Sequence, residues 1–74
     1  MNSHIMINPR ICNGKPVIAG TRIPVTVILD QMIATGSIEK IIDLYPELTH
    51  QQIVGALQYC HTIIDHTEFE FLAA

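Results

Sequence analysis

Two of the four basic residues of this 74-residue chain, Lys15 and Arg22, stand in one short stretch, Gly14-Lys15-Pro16-Val17-Ile18-Ala19-Gly20-Thr21-Arg22-Ile23-Pro24-Val25. Proline fixes φ at Pro16 and Pro24, and Gly14 and Gly20 admit bends, so the stretch reads as a short extended segment between turns. Lys15 and Arg22 are then held on a shaped piece of backbone. A rigid basic elbow ahead of helices suits contact with an anion or with nucleic acid. The same elbow is equally a device for starting a helix.

The other reactive residue types do not form sets. His50 and His61 are eleven positions apart, and His61 and His66 are five apart, too far to share a helix face cleanly. Cys12 and Cys60 have no zinc-type spacing. Cys60-His61 and Asp65-His66 are sequence neighbours, and a nucleophile and its base must meet in space rather than in sequence. Gly14-Lys15 lacks the glycine-rich run and the hydroxyl residue of a phosphate loop. The chain is therefore read as a non-enzyme with no cofactor and no metal.

A chain of this length makes one domain with little surface to bury. Yet 49% of it is apolar and mean hydropathy is +0.33. Apolar surface buried against a second copy, in a homodimer, resolves this; a well-packed monomer with ordinary exposed aliphatics is the alternative. No apolar run approaches the roughly 18 to 20 residues of a membrane span. No charged leader followed by an apolar run opens the chain, so a cytoplasmic location with reduced thiols is expected.

Charge is unevenly placed. Residues 1–40 carry Arg10, Lys15, Arg22 and Lys40 against Asp30 and Glu39, net +2. Residues 41–74 have no lysine or arginine and five acidic side chains, net −5. The front can face phosphates; the back repels them and suits a basic partner.

The elements that must position these groups follow from period and punctuation. Residues 1–6 read as an N-terminal extension, in part a cloning remnant, with no function assigned. Asn13-Gly14, flanked by 7–12 and 16–19, predicts a small β-element closed by a tight turn. Pro24 suits the first turn of a helix whose apolar positions are Val25, Ile28, Leu29, Met32 and Ile33, closed by Gly36. Ser37 caps a short second helix with Ile38, Ile41 and Ile42, which must stop near Leu44 because Pro46 disfavours helical geometry at Tyr45. Thr49 and Gln52 form a capping box for a third helix, with an apolar stripe of Ile53, Ala56, Leu57, Cys60, Ile63 and Ile64, expected to run to about His66. The expected fold is mostly α: three helices in a homeodomain-like helix-turn-helix, with a short N-terminal β-element, over residues 7–66.

In that arrangement the start of the third helix enters the major groove. His50, Gln51 and Gln52 would lie near bases, since glutamine pairs with adenine and histidine donates to guanine acceptors. Arg10, Lys15 and Arg22 would neutralise phosphates. The third helix itself has no lysine or arginine. Residues 67–74 form an acidic aromatic tail, an extended segment or a frayed helical end. Its phenylalanines are costly to leave in water, so it folds back on its own domain or dimer mate, or docks on a second protein.

The run from Asn8 to Val25, with Tyr45-Pro46-Glu47-Leu48-Thr49 and Ala56-Leu57-Gln58-Tyr59, resembles the domain-of-unknown-function family numbered 433. Gly14, Lys15, Gly20, Thr21, Arg22 and Pro24 match its signature; Tyr45, Pro46, Leu48 and Thr49 mark the turn before the third helix. Members look like VapB-type antitoxins, often encoded beside toxins with a PIN-like nuclease fold. The resemblance implies an antitoxin of a type II toxin–antitoxin pair, with a nuclease partner and possible operator DNA. On that reading Asp65, Glu68, Phe69, Glu70, Phe71 and Leu72 occupy the basic groove of the toxin. A homodimeric protein-interaction module without DNA contact is the alternative.

Overall fold

The computed structural model describes the backbone of residues 3–73 and the side chains of residues 3–66. It contains β1 (Ile5–Met6), a 3-10 turn (Cys12–Gly14), β2 (Val17–Ile18), and three helices, α1 (Val25–Thr35), α2 (Ile38–Leu44) and α3 (His50–Ala73). The fold is mostly α, with a two-stranded antiparallel sheet at its N-terminal end.

The sheet differs from the tight hairpin expected around Asn13-Gly14. β1 pairs with β2 in the register Ile5 to Ile18 and Met6 to Val17, so residues 7–16 form a wide loop. The cause is local. Asn8 accepts the Arg10 N–H on its side chain at 2.9 Å and the Ile11 N–H on its carbonyl at 2.9 Å, which bends the chain around Pro9. Cys12, Asn13 and Gly14 all have positive φ, so the chain turns within the 3-10 segment instead of continuing a strand. The strand that does pair, Ile5–Met6, comes from the stretch read as an N-terminal extension, and it is part of the fold.

After β2 the chain reverses. Gly20 sits at φ +80, and the Thr21 hydroxyl donates to the Ile18 carbonyl at 2.7 Å while accepting the Ile23 N–H at 3.0 Å. Residues 23–25 then run back along β2, with Ile18 N–H donating to Ile23 O and Val25 N–H to Pro16 O, both at 3.0 Å. Pro24 is the residue just before α1 rather than its first turn, at φ −64 and ψ 147. Gly36, at φ +66, ends α1, with its N–H on the Met32 carbonyl.

Ser37 caps α2 by accepting the Lys40 N–H at 3.3 Å. Tyr45 leaves helical geometry ahead of Pro46, as proline sterics require, and Leu48 N–H closes the turn on the Tyr45 carbonyl at 2.9 Å. The capping box of α3 is complete: Thr49 N–H donates to Gln52 Oε1 at 2.8 Å, and Gln52 N–H to Thr49 Oγ1 at 3.1 Å.

Each main element gives one fully buried isoleucine to the core: Ile18 from β2, Ile28 from α1, Ile41 from α2 and Ile53 from α3. Val25, Leu48 and Ala56 complete the cluster. Burying each large aliphatic contributes roughly 1.5–3 kcal/mol. α3 packs chiefly on α1 and also meets α2 and β1. It continues as helix past His66 to Ala73. At 1.5 Å per residue it is about 36 Å long, close to the 42 Å long dimension of the molecule. Among the described residues, those of α3 that join or pack on the core lie between Ile53 and Cys60.

Gly55 is buried where α3 passes under the N-terminal segment. A Cβ there would lie 2.8 Å from His4 Cδ2 and 2.9 Å from His4 Cβ. Gly55→Ala is therefore expected to lower stability by about 1–3 kcal/mol through overpacking. In a His4→Gly background, which removes the clashing atoms, the same change should be neutral or stabilising by up to about 1 kcal/mol, the helix preference of alanine. Urea denaturation of the four proteins checks this; an equal loss in both backgrounds would show that His4 is not the cause.

Candidate interaction surfaces

The structure separates the sequence-predicted residues into distinct places. Arg10, Lys15 and Arg22 are all exposed. Arg10 and Lys15 flank the 3-10 turn, and the Cys12 Sγ donates to the Arg22 carbonyl at 3.4 Å, tying that loop to the bend after β2. The segments that carry the three cations are thus tied together through Cys12 and Arg22. Most of the Gly14–Val25 stretch serves geometry: Gly14, Gly20 and Thr21 shape turns, Val17 and Ile18 are buried, and Pro16 and Pro24 flank paired backbone. Among the described residues the Lys15 and Arg22 side chains make no hydrogen bond or ion pair.

His50 and Gln51 are exposed on the first turn of α3, after the α2–α3 turn. Gln52 is different. Its side-chain oxygen holds the Thr49 N–H, so its first role is to cap α3. Among the described residues, no hydrogen bond joins the basic loop to the start of α3. Of the residues expected to meet a partner, Asp65 is exposed on α3. The side chains of Glu68, Phe69, Glu70, Phe71 and Leu72 lie outside the described residues.

A surface that the periodicity does not announce lies between α1 and α3. Pro16, Val25, Leu29, Tyr59, Cys60, Ile63 and Ile64 contribute to an open groove of about 220 Å³ with an apolar lining. Ile63 and Ile64, assigned by spacing to the buried stripe of α3, are instead 45% and 61% exposed. The reason is length. Among the described residues, the fully buried positions of α3 end at Ala56, and residues 61–66 lie past the part of the helix that the core covers. Every described residue from His61 to His66 is exposed. Ile33, four residues after Leu29 and on the same helical face, is 77% exposed. The signal was present in α1: Val25, Ile28, Leu29, Met32 and Ile33 make a stripe wider than one core-facing side of a short helix can bury.

Cys60 is half-buried in the groove wall, and burial pushes its thiol up from the ordinary value of 9.0, against a weaker opposing hydrogen bond to its own backbone. Less thiolate at a given pH means slower alkylation. In Cys12→Ser protein, Cys60 is expected to react with iodoacetamide at pH 8 more slowly than a cysteine in a short unstructured peptide, and to match the peptide once urea unfolds the chain. Mass spectrometry of timed samples reads both; equal rates in the folded protein would refute a covered thiol. Among the described residues no group of three His, Cys, Asp or Glu side chains is placed to hold a metal ion. No helix of the described residues is long and apolar enough to cross a membrane.

Comparison with known proteins agrees with this architecture. A crystal structure of a DUF433 member protein from Anabaena variabilis ATCC 29413, at 2.00 Å resolution, superposes with a TM-score of 0.76 at 27% identity, over 90% of this chain and 66% of that one. The chain thus spans just under two thirds of that relative's length. No curated protein matches the sequence. The model of the family described as "Protein of unknown function (DUF433)" matches residues 5–60, from the first paired strand to the groove wall on α3. The chain belongs to the DUF433 family.

Proposed function

We propose that this protein is the antitoxin half of a toxin–antitoxin pair, and that its C-terminal α3 arm neutralises a PIN-like nuclease by occupying the basic groove where that enzyme takes its nucleic acid. The observation that carries the reading is the arm. α3 outruns its own core, with all described residues from 61 to 66 exposed, including Ile63, Ile64 and Asp65. The sequence beyond residue 40 has acidic side chains and no lysine or arginine. A helix that presents apolar and acidic groups together suits a partner whose groove is basic at its rim and apolar at its floor.

A second component is operator contact through the other end of the charge map. Arg10, Lys15 and Arg22 are exposed on loop segments joined by the Cys12 to Arg22 hydrogen bond, and His50 and Gln51 take no part in the α3 cap. In a dimer these cations double. Binding would then rest on phosphates more than on bases, because α3 has no cationic side chain at its start.

Co-expression with the product of the neighbouring gene, followed by mass determination of the purified complex, tests the first component. A complex that inhibits RNA cleavage by its partner, and that is lost on deleting residues 66–74, is expected. A complex that survives the deletion would refute docking by the arm. For the second component, a duplex from the upstream region should bind with a log–log salt slope of roughly −4 to −5, for four to six neutralised phosphates. Lys15→Ala with Arg22→Ala should flatten that slope; unchanged affinity in the double variant would exclude the basic loop.

A further inference from the structure

We infer that Asn13-Gly14 is a self-modification site, where local opening of the 3-10 turn lets the chain convert Asn13 to aspartate or isoaspartate and so add a negative charge among the loop cations. The reaction needs no partner protein; its bearing on nucleic acid rests on the operator reading above.

The residue types come first. The chain has three asparagines, Asn2, Asn8 and Asn13. An asparagine deamidates when the backbone nitrogen of the next residue attacks its side-chain carbonyl carbon. Asn8 precedes Pro9, whose nitrogen has no hydrogen to lose. Asn13 precedes Gly14, the residue type that crowds such an attack least. In the step itself a bond forms between the Gly14 nitrogen and Asn13 Cγ, and the Cγ–Nδ2 bond breaks. The Gly14 proton leaves with the side-chain nitrogen as ammonia. Water then opens the five-membered imide. Cleavage on the Cγ side gives aspartate, and cleavage on the main-chain carbonyl side gives isoaspartate. Nothing is oxidised or reduced.

The structure supplies the gate. Asn13 is exposed, and among the described residues its side chain makes no hydrogen bond. The amide is therefore available, but the nucleophile is withheld. Asn13 stands at φ 58 and ψ 32, which puts its Cβ and the Gly14 nitrogen on nearly opposite sides of the Cα–C bond. The ring cannot close from that geometry. The Gly14 N–H also donates to the Ile11 carbonyl at 3.0 Å, and the Lys15 N–H to the Cys12 carbonyl at 3.1 Å. The turn must open first, and little holds it closed. Cys12 and Asn13 are both non-glycine residues with positive φ, a strained conformation, and no residue of the turn is buried. Opening is thus local and does not require the core to unfold.

The position of the product gives the change its effect. Arg10 stands three residues before Asn13 and Lys15 two residues after it, and Cys12 ties the turn to Arg22. Aspartate accepts left-handed backbone much as asparagine does, so that product keeps the turn and subtracts one charge from the loop. Isoaspartate carries the main chain through its side-chain carbon. It lengthens the backbone and moves the Gly14 and Lys15 N–H groups off their acceptors.

Mass spectrometry of the full-length protein, kept folded at pH 8 and digested with trypsin, tests the inference. The segment Ile11–Arg22 contains Asn13 as its one amide side chain. A gain of about 1 Da in that segment is expected, split between two chromatographically distinct products. Its rate should be roughly tenfold to a hundredfold below that of a synthetic peptide of the same residues, because two backbone hydrogen bonds must open first. Urea below the unfolding transition should leave the rate unchanged. Asn13→Gly, which suits the turn and has no side-chain amide, should show no gain. Conversion as fast as the peptide's, or conversion only where urea populates the unfolded chain, overturns the inference. Asn13→Asp should bind the upstream duplex about twofold to fivefold more weakly at low salt, the difference fading as salt rises. Equal binding at low salt overturns the effect on the loop cations. A wild type that binds no duplex refutes the operator reading alone, since the mass gain is read without nucleic acid.

Discussion

The conformation of this protein depends on one small reversal. The Thr21 hydroxyl lies between the Ile18 carbonyl and the Ile23 N–H and satisfies both. With Gly20 left-handed beside it, the chain folds back along β2 and delivers Val25 to the carbonyl of Pro16. That delivery fixes the start and direction of α1. It places Ile28 against Ile41 and Ile53, and it makes Pro16 and Val25 two walls of one groove. A hydrogen bond that closes a turn is worth only about 1 kcal/mol net. Its importance here is geometric, since three elements take their placement from it.

The same reversal separates structural from interaction duties within the most conspicuous stretch of the sequence. The glycines, prolines and threonine of Gly14–Val25 are accounted for by backbone geometry. Lys15 and Arg22 are not: their backbones take part in the fold and their charges face solvent. α3 divides in a similar way along its length. Its first turns are fixed by the Thr49–Gln52 cap and by Ile53 and Ala56 in the core. Its described residues 61–66 are all exposed and offer Asp65 beside Ile63 and Ile64. One short domain thus presents a cationic loop, an apolar groove and an acidic arm, each from a different part of the chain.

The fold was largely legible in the sequence because its signals are local. Proline geometry at Tyr45-Pro46, the glycine at 36, and the caps at Ser37 and Thr49 act within four residues of where they stand, and each boundary falls where the local rule puts it. The β-element was less legible. Asn13-Gly14 carries a hairpin signature, but Asn8 and three successive positive-φ residues bend the chain first, and the pairing passes to Ile5 and Met6. Strand pairing is a non-local choice, and a turn signature cannot say which partner waits beyond the loop.

Sequence by itself determined the three helices, both ends of α2, the end of α1 and the start of α3, the membership of Ile28, Ile41 and Ile53 in an apolar set, and the polarity of charge from front to back. It determined these because helix caps, helical period and net charge are properties of neighbouring residues. Tertiary structure alone decided which apolar residues are covered. Ile53 and Ile64, eleven residues or about three turns apart, occupy equivalent positions on one helical stripe, yet Ile53 is fully buried and Ile64 is 61% exposed. Periodicity reports which face of a helix is apolar. It does not report how far along the helix the core reaches, and here the described residues 61–66 all lie exposed beyond it.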